Sequence, residues 1–272
     1  MAVKACKAIH CKRKWTPSKR YVTRKKVKKF FFFLALLIVS LPSAVTADGG
    51  LTIGVAANFL VPFKEIVILF EQKTGIRIEG VFNSSGNLFG QIKNGAPYDL
   101  FLSADKLRPE RLWEEGLAQQ PFIYAEGTVV LWTAKKAFCS AGSWHQVLKM
   151  QGINRVAIAN PETAPYGEAA LEALKKAGLE GPLDGKLVFA QNVSQVFQYA
   201  HTGAVDAGFC ALSSALSEFG KKGCRFTIEE APTIQQTACI LKRTGKWADA
   251  ERFAAFITSP EAETIKKKYG YH

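Results

Sequence analysis

The stretch "IRIEGVFNSSGNLFGQIKNGAPYDLFLSA" (76–104) sets the reading of the whole chain. Its first seven residues alternate and are rich in β-branched and aromatic side chains, which is a strand signal. "NLFGQIKNG" (87–95) carries apolar residues at helical spacing and stops at Asn94-Gly95. "YDLFLSA" (98–104) returns to an apolar strand. Strand, helix, strand over about 30 residues is a βαβ unit, and such units build parallel sheets covered by helices.

The same rhythm extends in both directions. Upstream lie a strand "LTIGVAA" (51–57) and a helix "FLVPFKEIVILFEQKTG" (59–75). Downstream come a helix "PERLWEEG" (109–116) and a strand "TVVLWTA" (128–134). A second block follows, with strands at 155–160, 186–190 and 207–212 and helices at 167–178 and 194–203. One more strand (235–242) and two helices, "WADAERFAAFIT" and "PEAETIKKKYG", close the chain. The pattern predicts an α/β protein of two lobes, each an open parallel-type sheet flanked by helices. Its expected boundaries are 48–130 with 236–272 for the first lobe and 131–235 for the second, so the chain crosses twice. Open α/β sheets bind ligands beyond their strand carboxyl ends, which puts a ligand between the lobes.

The formal charge of +13 does not imply a nucleic-acid partner. Twelve of the 36 basic residues fall within residues 1–29, where there is no acid. The remainder holds 24 basic and 23 acidic residues, a net charge of about +1. After the basic run comes "FFFLALLIVSL" (31–41), shorter than the roughly 20 apolar residues of a membrane span. Val45 and Ala47 then provide small residues before a cut. Residues 1–47 therefore read as a secretory signal peptide cleaved after Ala47, with export from the cytoplasm. No nucleic-acid partner is expected.

Four cysteines lie beyond that segment: Cys139, Cys210, Cys224 and Cys239. An oxidising compartment permits disulfides, and four cysteines allow three pairings. Cys210 and Cys239 sit in apolar strand-like runs and read equally as buried thiols. No CxxC spacing is present, so no metal site is expected.

The strand-to-helix junctions share a character. They are Ala56-Ala57-Asn58-Phe59, Asn83-Ser84-Ser85-Gly86, Ala164-Pro165-Tyr166-Gly167 and Gln191-Asn192-Val193-Ser194. All are small or amide-bearing, and none carries a charge. A helix N-terminus leaves about four backbone N–H groups without intrahelical acceptors and carries roughly half a positive charge. It is therefore an anion site that needs no cationic side chain. Asn58 and Ser85 could add side-chain donors, whereas Tyr166 and Val193 would offer backbone N–H. Taken singly, Asn58 and Ser84 or Ser85 read as N-caps, Tyr166 as a surface aromatic and Val193 as core.

In order, "AANF" (56–59), "FNSSGNLFGQIKNGAPYDLFLSAD" (82–105), "ANPETAPYGEAALEAL" (159–174) and "GFCALS" (208–213) closely resemble the periplasmic molybdate-binding proteins of ABC transporters, the ModA family. The resemblance spans nearly all of the chain after residue 47, including the terminal "YGY". It implies a type II periplasmic-binding-protein fold that closes around one tetrahedral oxyanion, molybdate or tungstate, with no cofactor. It also implies delivery to a membrane permease by a monomeric protein. The donors map to Asn58, Ser85, Tyr166 and Val193, with Ala57 adding its backbone. Another branch of the family places a ligand-contacting tyrosine where this chain has Ala211, so that donor is missing here.

The alternative within the class is a protein for sulfate or another tetrahedral oxyanion. An enzyme is a poorer match. Beyond residue 47 the histidines are His145, His201 and His272, with no GxSxG around Ser84 or Ser85, no phosphate loop and no HExxH. His145 and His201 read as solvent-facing.

Overall fold

A computed structural model describes residues 49–272; the signal-peptide reading of residues 1–47 lies outside the described residues. Two five-stranded sheets form the frame. The first contains β1 (Leu51–Ala56), β2 (Ile78–Asn83), β3 (Leu100–Ser103), β4 (Phe122–Gly127) and β10 (Ile234–Ile240), in the order β2-β1-β3-β10-β4. The second contains β5 (Val129–Thr133), β6 (Val156–Ala159), β7 (Leu187–Ala190), β8 (Ala207–Ala211) and β9 (Cys224–Thr227), in the order β7-β6-β8-β5-β9.

Helices α1 (Leu60–Thr74), α2 (Ser85–Lys93) and α3 (Leu107–Glu114) follow strands of the first sheet. Helices α4 (Trp144–Lys149), α5 (Pro165–Lys176), α6 (Val193–His201) and α7 (Leu212–Ala215) belong with the second. Helices α8 (Trp247–Ile257) and α9 (Pro260–Lys268) return to the first. Phe253 of α8 meets Phe63 and Phe70 of α1 at centroid distances of 6.0 and 5.2 Å, edge to face. Among the described residues no helix is long and apolar enough to cross a membrane.

The sheets are mixed rather than purely parallel. β1 pairs in parallel with β2 and β3, whereas β10 runs antiparallel to β3 and β4. β6 pairs in parallel with β7 and β8, whereas β5 runs antiparallel to β8 and β9. β4 and β9 carry weak sequence signals because they are edge strands with exposed positions. Ile123 of β4, for example, faces solvent. The chain passes from the first sheet to the second at Thr128 and back between β9 and β10.

Register positions the helix mouths. Ala56 lies opposite Asn83, and Ala159 opposite Ala190. Each pair of parallel strands thus ends at one level, and the loops beyond them start their helices side by side.

Among the described residues there is one disulfide, Cys139–Cys224, with Cα atoms 5.6 Å apart. Cys210 and Cys239 are buried and free. Burial pushes the Cys239 thiol up to about 12, and the Cys210 thiol higher still. The bridge closes a loop with a sequence separation of 85 residues. Replacing both partners with alanine is expected to cost about 2–4 kcal/mol of stability, because the unfolded chain regains loop entropy. Urea denaturation of the oxidised wild type against Cys139→Ala/Cys224→Ala measures it, and equal midpoints would refute the pairing.

Candidate functional site

The four junctions meet in one cavity. Ala56, Ala57 and Asn58 line it from the end of β1, Ser84 and Ser85 from the mouth of α2, and Ala104 from the end of β3. Ala164, Pro165 and Tyr166 line it from the mouth of α5, and Asn192 and Val193 from the mouth of α6. All five residues expected from sequence are therefore together, and none of the lining residues bears a charge. The centre of a water-sized sphere can move over only about 10 Å³ inside.

The local chemistry makes this a site of donors. Ser84 is the N-cap of α2: its Oγ accepts from Asn87 N–H at 3.4 Å. Ser85, one residue on, is spared that task. Its Oγ accepts from Ala104 N–H at 2.9 Å, which leaves the hydroxyl hydrogen to give. Asn192 caps α6, accepting from Gln195 N–H at 3.1 Å. α5 has no side-chain cap and begins with Pro165, which suits its first turn. Among the described residues, the backbone N–H groups of Asn58, Ser85, Tyr166 and Val193 take no protein acceptor. These residues are all nearly inaccessible. An unpaired buried N–H costs free energy comparable to a lost hydrogen bond, about 1–3 kcal/mol. Four at one cavity ask for a shared acceptor.

The side chain of Asn58 behaves differently from the sequence expectation. Its Nδ2 donates to Gln236 Oε1 at 2.8 Å and to Tyr271 Oη at 3.0 Å, so both amide hydrogens are already used. Its backbone carbonyl accepts from Ser213 Oγ at 2.7 Å and from Tyr271 Oη at 2.8 Å. What Asn58 offers the cavity is its backbone N–H. The Tyr166 ring also turns away from solvent, and burial pushes its phenol well above the usual tyrosine range. Ala211 is buried in β8 opposite Val129 and does not line the cavity. Gln236 escaped the sequence reading, and Ser213 and Tyr271 stood in its quoted motifs without the role of holding Asn58. Gln236 breaks the apolar run of β10, and a buried amide inside a strand was the available signal.

The walls from the two sheets touch across the cavity. Ser194 Oγ donates to Ala57 O at 2.7 Å, and Gly86 N–H donates to Thr163 O at 2.8 Å. A Cβ on Gly86 would stand 2.8 Å from that same oxygen, so only glycine permits the approach. Arg108, bound to Asp105 Oδ2 at 2.6 Å, reaches Glu162 O at 3.4 Å on the opposite side.

Among the described residues the histidines do not assemble a catalytic group. His145 lies on α4 rather than in a loop, half-buried, 2.9 Å from Glu230 Oε1. His201 stacks on Phe197 with a centroid distance of 5.7 Å. The expectation that both face solvent misses these partners, which lie far away in sequence or one helical turn back.

Comparison with known proteins gives a consistent picture. The profile of the bacterial extracellular solute-binding proteins matches residues 51–272. The Rhodobacter capsulatus molybdate-binding protein ModA is 40% identical over 241 residues, covering 88% of this chain and 93% of that protein. Azotobacter vinelandii ModA is 36% identical over 249 residues, covering 88% and 98%. The solved structure of the Azotobacter vinelandii periplasmic molybdate-binding protein superposes with a TM-score of 0.77 at 35% identity, covering 82% of this chain and 98% of that one.

Proposed function

The chain belongs to the family of bacterial extracellular solute-binding proteins, among the relatives of ModA, and we propose that its cavity captures one molybdate or tungstate ion for an ABC transporter. It is a binding protein, not an enzyme. The observation that carries the reading is the meeting of four uncharged helix mouths on one small cavity. Ser85 gives its hydroxyl, and Asn58, Ser85, Tyr166 and Val193 give backbone N–H, with Ala57 forming the adjoining wall.

The donor set selects its ligand by protonation and size. Molybdate is a dianion without a proton at neutral pH. Protonated phosphate would bring an O–H that meets only other donors, and an unmatched buried polar group costs about 1–3 kcal/mol. Sulfate has the right charge and shape but shorter bonds, so it cannot reach all the donors of a rigid ring. Hydrogen bonds to a charged acceptor contribute about 1.5–3 kcal/mol each, which offsets desolvation without a lysine or arginine. With no countercharge to neutralise, the ion can leave once the walls part.

In this reading the two sheets act as lobes, 49–127 with 234–272 and 129–227, which hinge at Thr128 and at 228–233. The protein works as a monomer, exported by the basic and apolar N-terminal segment, and hands its ion to a membrane permease. The test is competitive calorimetry on residues 48–272 with molybdate, tungstate, sulfate and phosphate. Molybdate and tungstate are expected to bind at least about 100-fold more tightly than sulfate, a difference of about 2.7 kcal/mol. Equal affinity for sulfate would overturn the assignment in favour of a general oxyanion carrier.

A further inference from the structure

Tyr166 has two ends that face different tasks. Its backbone sits at the mouth of α5, in the cavity wall. Its phenol runs away from the cavity toward the first crossing between the sheets. There Tyr166 Oη lies 3.4 Å from Gln236 Nε2, which donates to it. Tyr166 belongs with the second sheet and Gln236 with the first, so this contact spans the crossing. The same Gln236 accepts from Asn58 Nδ2 at 2.8 Å and from Tyr124 Oη at 3.0 Å. One amide thus joins the wall residue of one side to the wall residue of the other.

Gly127 supplies the floor of this contact. It is the last residue of β4, directly before the crossing at Thr128. A Cβ placed on Gly127 would lie 2.2 Å from Tyr166 Oη and 2.5 Å from Gln236 Nε2. The phenol therefore seats fully only because residue 127 has no side chain. Tyr166 is 2% exposed, so nothing from solvent replaces the contact while the walls are together.

We propose that the Tyr166 side chain is a positioning residue, a latch seated on Gly127 and Gln236 that holds the walls closed on the ion while the Tyr166 backbone binds it. The latch rests on the reading of the cavity as an oxyanion site. A contact made only in the closed form favours that form by its own free energy and adds nothing to the open one. It therefore slows departure of the ion and leaves its arrival nearly unchanged. Through Gln236 it also holds Asn58, so closure and the placing of an opposite-wall donor become one event.

The test is stopped-flow kinetics with molybdate, with melting of the ligand-free protein alongside. Tyr166→Phe removes one hydroxyl and keeps ring volume and backbone donor. It is expected to speed dissociation about three- to ten-fold, the effect of one modest hydrogen bond, with association and the ligand-free melting temperature unchanged. Gly127→Ala is expected to speed it further. Adding Tyr166→Phe to Gly127→Ala is expected to restore part of the loss, because the hydroxyl that meets the new methyl is gone. Wild-type dissociation in Tyr166→Phe would overturn the latch. A lowered ligand-free melting temperature with unchanged dissociation would do so as well, since that is plain packing. If Gly127→Ala does not fold, Tyr166→Phe alone decides. Absence of molybdate binding by the wild type is a separate result that overturns the functional reading and the latch with it.

Discussion

Ser85→Asp is expected to abolish molybdate binding while leaving a folded protein. The reason is that a single field serves both carboxylate and ligand. Residue 85 is the first of α2, where unpaired N–H groups and the helix dipole favour a negative charge by about 0.3–1 kcal/mol. An aspartate there is held by the donors that would hold the ion, and its carboxylate can keep the bond from Ala104 N–H that Ser85 Oγ accepts. The ligand then meets a fixed negative charge. At about 4 Å and an effective dielectric constant of about 20, one charge against two is repelled by about 8 kcal/mol. Solvent and relaxation take part of this, yet half suffices for a loss of about 1000-fold. Calorimetry with circular dichroism as a folding control reads the outcome. Binding within ten-fold of wild type would show that residue 85 is not at the ion. Ser85→Ala is the milder companion: it removes one hydroxyl and leaves the backbone donors.

Molybdate is also expected to raise the melting temperature sharply. Four buried N–H groups at the cavity take no protein acceptor, and the ion would satisfy them only in the folded protein. Binding that is confined to the native state stabilises by mass action. With free ion at about 1000 times the dissociation constant, the gain is about 4 kcal/mol. For a domain of this size that corresponds to an increase of about 8–16 °C. Scanning calorimetry of residues 48–272 with and without the ion, and with sulfate at the same concentration as the control, measures it. A shift below about 2 °C, or an equal one with sulfate, would count against the proposed ligand.

Much of the frame was readable from residue order alone because its signals are local. The stop at Asn94-Gly95 and the alternation of residues 76–82 depend on a few neighbours, so the βαβ unit of the first sheet could be placed before any coordinates. The edges were harder. β4 includes an exposed Ile123, and β9 alternates weakly, so neither stands out from loop. Strand direction was out of reach at the crossings, because β5 and β10 look like any apolar strand. Only their partners make them antiparallel.

For the site, residue order alone determined its chemistry. Four uncharged strand-to-helix junctions mean donors without acceptors, and the dipole of each mouth follows from the helix itself. What only the tertiary structure decided is convergence and who is spoken for. The shared register at Ala56–Asn83 and Ala159–Ala190 brings the mouths level, and the crossing at Thr128 turns the two pairs toward each other. The same packing spends the Asn58 amide on Gln236 and Tyr271, 178 and 213 residues away in sequence. It leaves Ser85 its hydrogen and chooses Cys139–Cys224 from three pairings. A helix mouth is set by bonds to its nearest neighbours, whereas the partner of a buried amide or thiol is whichever group the folded backbone carries within about 3–4 Å, and no local pattern encodes that distance.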